Sequence, residues 1–208
     1  MKIGANSLYK ALAVALTHTA DNVTAAALPL FGMVNVYATG DAMLAAYATD
    51  RFTSVRFEMQ TTGEPAFDFA LTKDAVKALV GALKKARTGP PVEVRRDGSN
   101  VVFTVEGASF TFPQYDQVSF PKAGLDSVLF AAAGKSVELP EVSFQPDLLA
   151  RYAQNAKDLR DNSKDERTRD MRLSFSDAAS AKDKYGPVFV EFPNVPEFKS
   201  VIMPLRKK

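Results

Sequence analysis

The chain reads as an α+β protein: antiparallel sheets with helices packed on one face. Three observations predict this. A strand, a helix and three further strands recur in that order three times along the 208 residues. Strand candidates such as AFDFALT alternate apolar and polar residues, and Gly-Asp or Asp-Gly pairs punctuate them. Hydrophobic residues make up 46% and charged residues 24%, the balance of a buried core with a solvated surface.

The first copy opens with MKIGA as a strand and SLYKALAVALTHTA as a helix, with Leu8, Leu12 and Leu16 at helical spacing and Ser7 expected as the N-cap. The strands FGMVNVYATG, AMLAAYATD and FTSVRFEMQ follow, the first two turned at Gly40-Asp41. In the second copy AFDFALT leads into KDAVKALVGALKKAR. That helix puts Val76, Leu79, Val80 and Leu83 on one face and has Thr72 placed to cap it. PVEVRRD, NVVFTVEG and SFTFPQYDQVSF complete this copy, with a hairpin at Asp97-Gly98.

The third copy begins at SVELPEVSFQP and continues with the helix DLLARYAQNAKDL, whose Leu148, Leu149, Tyr152, Ala156 and Leu159 share a face. MRLSFSD, PVFVEF and FKSVIMPLR are its strands. A charged insertion, RDNSKDERTRD, interrupts it. Asp158, Asp161, Asp165, Glu166 and Asp170 nearly cancel the basic residues around them, so residues 158–172 are expected to be solvated. The expected organisation is a first unit over residues 1–122, a linker at 123–135 and a C-terminal half-unit over 136–208.

Composition removes several function classes. There is no cysteine, hence no disulfide, thiolate metal site or Cys nucleophile. His18 is the only histidine, which removes multi-histidine metal sites, and no cofactor is expected. At the end of an apolar helix His18 reads as a terminal or partly buried residue rather than a base. Asp50, Glu58 and Asp68 are not placed in a shared cleft by any pattern, and GANS and GPP lack phosphate-loop spacing, so no catalytic residue is assigned. The formal charge is +2, so any nucleic-acid contact must rest on local charge. No apolar run approaches the roughly 20 residues of a membrane span and the N-terminus lacks signal-peptide character, so a cytoplasmic location is expected.

Three separated motifs carry a resemblance to a known family. ATDRFTSV resembles the Ala-Thr-Asp strand motif of the bacterial DNA polymerase III β subunit, the sliding clamp. FPQYDQV (Phe112 to Val118) resembles the Phe-Pro-acidic-Tyr segment that closes the clamp's middle domain, and VIMPLR (Val201 to Arg206) resembles the tail of clamp chains. Residues 1 to about 122 resemble one whole clamp domain, and residues from about 136 onward the second half of the last domain. The resemblance implies a non-enzymatic processivity factor, and a homo-oligomer in which four chains of three half-units would match a ring of twelve.

It further implies a pocket for short linear peptides of polymerases and clamp loaders. Leu30, Thr49, Arg51 and Ser54 would line one side, Pro113, Gln117 and Val118 another, and Val201, Met203, Pro204, Leu205 and Arg206 the base. Arg51 stands where many clamps have a small residue, and Ser54 where they have leucine, which implies a more polar pocket and a different peptide.

The clamp's helices face the phosphates of duplex DNA without reading bases. Lys73, Lys77 and Lys84 lie along one flank of the second helix with Lys85 opposite, and Arg151, Lys157 and Arg160 lie on the third. Such placement suits backbone contact. It equally suits ordinary solubilising surface charge, and the first helix offers only Lys10 and His18. The alternative to an encircling clamp is a clamp-derived adaptor or decoy that captures clamp-binding peptides.

Overall fold

Strand β4 (Thr53–Thr62) organises the molecule. The computed structural model describes residues 1–40, 42–115, 120–130, 144–161, 170–175 and 186–203. One edge of β4 pairs with β3 (Met43–Thr49). The other edge is shared: Thr53 to Phe57 pair with β11 (Phe198–Ile202), and Thr61 and Thr62 pair with β1 (Lys2–Ile3). From β3 the sheet runs through β2 (Met33–Gly40) to β5 (Phe69–Thr72). From β1 it runs through β6 (Val92–Asp97) and β7 (Asn100–Val105) to β8 (Ala108–Pro113). From β11 it runs through β10 (Val188–Glu191) to β9 (Arg172–Phe175). Every described pairing is antiparallel.

The helices among the described residues are α1 (Ala5–Thr17), α2 (Asn22–Ala27), α3 (Lys73–Lys85), α4 (Lys122–Leu129) and α5 (Pro146–Leu159). A 3-10 turn over Pro29–Gly32 follows α2. Helix α1 packs against both α3 and α5 and lies over β3 and β4. Ala5, Leu8, Tyr9, Ala11, Leu12, Ala13, Val14 and Ala15 are all buried, so this helix is apolar around most of its circumference, as a helix flanked by two others must be. Its scarcity of charge follows from that central position.

The expected cap at Ser7 is corrected. The helix begins at Ala5 behind Gly4, and no side chain caps it. Ala5 is buried in the core, which favours the earlier start. Thr72 does cap α3, its hydroxyl accepting from Ala75 N, and Val76, Leu79 and Leu83 form the buried face. At the β6–β7 turn Gly98 has φ +58, the left-handed conformation a two-residue hairpin requires. In chain order β1, α1 and α2 precede β2 to β4, and β5 and α3 precede β6 to β8. Helix α5 precedes β9 to β11, while residues 136–143 of the opening strand expected for a third copy lie outside the described residues.

Helices on one face describes α1, α3 and α5 only. Val55, Phe57 and Met59 of β4 point into the main core with those helices. Alternate residues point the other way, and there Ala45, Tyr47, Phe189 and Val201 meet Leu125 and Leu129 of α4. The segment expected to be a linker therefore contributes a helix to the outer face. Leu125, Val128 and Leu129 at i, i+3, i+4 spacing are its sequence signal.

Candidate partner-binding site

The loop between β3 and β4 is built by its own short polar side chains. Asp50 Oδ1 accepts from the backbone N–H of Phe52 (3.0 Å) and Thr53 (2.7 Å) and from the Thr53 hydroxyl (3.1 Å). The Thr49 hydroxyl donates to the Thr53 carbonyl at 2.8 Å and accepts from Arg51 N at 3.1 Å. These bonds hold Arg51 at φ +81, in the left-handed region, and leave Phe52 53% exposed at the tip. Thr49 and Asp50 are buried.

The other carboxylate oxygen of Asp50 crosses to α5, where it takes a hydrogen-bonded ion pair from Arg151, 101 positions away in sequence. Arg151 also donates to Thr53 Oγ1 at 3.1 Å. His18, at the end of α1, bonds Thr53 Oγ1 through Nδ1 (3.0 Å) and the Asn155 amide through Nε2 (2.8 Å). With the amide donating, the proton sits on Nδ1 and the imidazole is neutral. Burial drives the His18 pKa down to about 3; the Arg151 charge adds to this and the Asp50 charge opposes it.

Tyr152 OH bonds Ser200 Oγ (3.0 Å) and the Val201 carbonyl (3.1 Å), and Ser200 Oγ in turn donates to the Ser54 carbonyl at 2.5 Å. Burial raises the Tyr152 pKa. Aspartate, threonine and histidine in one chain of bonds can suggest proton relay. Here His18 is 0% and Thr53 1% exposed, so no substrate reaches them, and the network instead joins α1, the loop, α5 and β11.

On the outer face Thr49, Ser54 and Val201 stand side by side on three paired strands, Thr49 opposite Ser54 and Ser54 opposite Val201. Ser54 Oγ donates to Thr49 Oγ1 at 2.9 Å. Met203 N donates to the Phe52 carbonyl at 2.8 Å, which sets exposed Met203 beside exposed Phe52. The structure thus brings together Thr49, Arg51, Ser54, Val201 and Met203. Leu30 packs against the Ala45, Tyr47 and Phe120 cluster of the same face. Pro113 sits on β8 opposite Asn100, and no described contact ties it to the loop. Gln117, Val118, Pro204, Leu205 and Arg206 lie outside the described residues. Sequence reasoning passed over Phe52, whose place at a turn tip between Asp50 and Thr53 was its signal.

Helix α4 covers part of this face. Leu129 packs on Phe189 and Val201. Asp126 accepts from Tyr47 OH (2.6 Å) and Lys122 Nζ (2.7 Å), and Arg56 Nε lies 3.7 Å from it. Burial opposes the Asp126 charge, but the bonds from Lys122 and Tyr47 outweigh it and hold the carboxyl below its ordinary range. Arg56 also donates to Tyr47 OH at 2.8 Å and pairs with Glu58 at 2.6 Å.

Of the helix cations, Lys77, Lys84 and Lys157 are exposed, as is Lys85. Lys77 lies 3.3 Å from Asp74. Lys73 donates to the Ala20 carbonyl at 2.8 Å, and burial, then the Lys77 charge, lowers its pKa. Arg151 is committed to Asp50. Arg160 is half-buried, and its carbonyl accepts from Arg87 at 2.7 Å. Asp161 is exposed, as expected, and also pairs with Lys10 at 2.6 Å and accepts from Asn6 at 2.7 Å, tying the end of α5 to α1. Residues 162–169 of the insertion lie outside the described residues. Among the described residues there is no group of three or more potential metal ligands, and no helix is long and apolar enough to cross a membrane.

The row of three helices on one face of an antiparallel sheet defines the class: this is the fold of the bacterial DNA polymerase III β subunit, the sliding clamp. The whole chain superposes on the DNA polymerase III β subunit of Thermotoga maritima with a TM-score of 0.69 at 14% identity, covering 65% of that chain. The sliding clamp of Bacillus subtilis matches over the whole chain with a TM-score of 0.65 at 16% identity and 64% coverage. The β sliding clamp of Caulobacter crescentus gives 0.67, 15% and 66%. The chain spans about 65% of the length of the clamps it matches. No family model and no curated protein matches the sequence.

Proposed function

We propose that the chain is a shortened sliding-clamp-type processivity factor: copies assemble into a ring around duplex DNA and tether a polymerase or clamp-loader-type protein through the outer-face patch. The observation that carries this is the layering itself. Helices α1, α3 and α5 lie side by side, and Lys77, Lys84, Lys85 and Lys157 are exposed on α3 and α5. Contacts of this kind hold phosphates without reading sequence and weaken steeply with salt. The opposite face offers an apolar and polar patch suited to a short peptide, with Met203 and Phe52 as adaptable apolar rims.

Assembly uses sheet edges. Strand β8 pairs only with β7 among the described strands and carries no charged side chain, the kind of edge that is protected by pairing with another chain. No step is catalytic, no cofactor is needed, and the cytoplasm is the compartment where such a protein acts.

A second reading keeps the patch and drops the ring: an adaptor or decoy for clamp-binding peptides. Two of the six cations expected at DNA favour it, since Arg151 is spent on Asp50 and Lys73 on a carbonyl. Light scattering across a concentration range separates the two. A concentration-stable closed oligomer, four copies by the half-unit arithmetic, is expected of the ring. A persistent monomer or open dimer overturns encirclement and leaves the adaptor.

A further inference from the structure

We propose that α4 is a built-in competitor for the outer-face pocket, and that a partner peptide binds by displacing it. This rests on the pocket reading given above. The first support is overlap. Val201, on the pocket floor beside Ser54, is only 4% exposed because Leu129 of α4 packs on it. An apolar anchor cannot reach Val201 while Leu129 is there.

The second support is how weakly α4 is built. It has eight residues, below the length at which isolated helices persist. Gly124 lies within it, no side chain caps it, and Leu129 is its one buried residue. Its neighbour Phe130 is 53% exposed, its ring centroid 4.8 Å from the Arg56 guanidinium and 5.7 Å from Lys199 Nζ, contacts made at the surface.

The third support is that leaving costs α4's partners little. Asp126 and Lys122 are on α4 together and depart as a pair. Arg56, left behind, keeps Glu58 at 2.6 Å and Tyr47 OH at 2.8 Å, so no buried charge is orphaned. The vacated site then presents an apolar floor flanked by Arg56 and Lys199, which stand opposite each other on β4 and β11. Its occupant is a short peptide that supplies an apolar side chain in place of Leu129 and a carboxylate in place of Asp126.

The test uses the full chain and a fluorescein-labelled acidic peptide with Leu and Phe anchors, followed by fluorescence polarisation. Leu129→Ser undocks α4 on its buried side, and Ser127→Pro breaks it from its exposed side without touching the sheet. Apparent affinity falls with the fraction of open molecules, so both variants should bind the peptide about tenfold or more tighter than the unaltered chain. Hydrogen exchange of residues 122–129 should speed up in each variant, and on peptide addition to the unaltered chain. Equal affinity in all three, with exchange showing α4 released in the variants, overturns the competitor and leaves the pocket standing. No binding to any of them, with α4 released, overturns the pocket and the competitor together.

Discussion

The paired strands β4 and β11 are covered on both faces, and the two covers are built by different rules. Inside, α5 brings Arg151, Tyr152 and Asn155 into a network in which each member bonds at least two partners: Asp50 and Thr53 for Arg151, Ser200 and Val201 for Tyr152, His18 and Thr17 for Asn155. Outside, α4 is held by one buried side chain, Leu129, with half-buried Leu125 and Val128 beside it, and by the polar contacts of Asp126 and Lys122. Breaking the inner cover strands buried polar groups; lifting the outer one takes Asp126 from Tyr47 OH but uncovers that hydroxyl to water and leaves Arg56 paired with Glu58. The inner contact is a permanent joint and the outer one an exchangeable clasp, and the contrast can be measured.

The largest effect is expected at Asp50. Asp50→Ala leaves the Arg151 cation and the Thr53 N–H without their acceptor, at a cost of about 3–5 kcal/mol. Urea unfolding reads the loss, and a value under about 1 kcal/mol would put the two covers on equal footing.

Next comes acid. The folded His18 pKa of about 3 lies below the ordinary 6.5, so its contribution is complete above that ordinary value and is lost as pH falls toward the folded one. Only the unfolded chain takes up the proton across this window. Unfolding free energy should drop by up to about 1.4 kcal/mol per pH unit there. His18 is the one side chain whose ordinary pKa falls between pH 5 and 8, so His18→Gln should flatten the curve from 6.5 to 5 whatever it does to absolute stability.

On the clasp, Asp126→Asn should cost about 1 kcal/mol locally. It should speed exchange of residues 122–129 and leave the unfolding midpoint of the sheet nearly unmoved. A large midpoint shift would make α4 part of the joint. Smallest is Arg51→Gly, which relieves the φ of +81 and should change stability by no more than about 1 kcal/mol, upward if strain outweighs the added freedom of the unfolded chain.

Local chemistry was legible in the sequence, and its long-range use was not. Thr72 announced a cap and Gly98 a hairpin, because each acts on residues within three positions. Asp50 announced a turn, which it makes, but nothing near it points to Arg151. Asn155 reads as a solvent-facing helix residue until His18 and Thr17 are seen beside it. Arg151 and Lys73 suit phosphate contact by sequence alone, because sequence reports charge and not its partner. Helix α4 was hidden by Gly124 and by its place after a strand, although Leu125, Val128 and Leu129 carry a helical period.

The divided edge of β4 also sets an order of events in time. Synthesis runs from the N-terminus, so β1, β3 and β4 can pair long before Phe198 exists. The edge from Thr53 to Phe57 must then wait for β11, the most sequence-distant strand it meets. Such distant pairing closes slowly, because a long loop has to be brought together first. Until β11 is made, the five residues from Thr53 to Phe57 lack the partner that β11 gives them. Any chaperone or neighbouring chain that meets the molecule early meets it there.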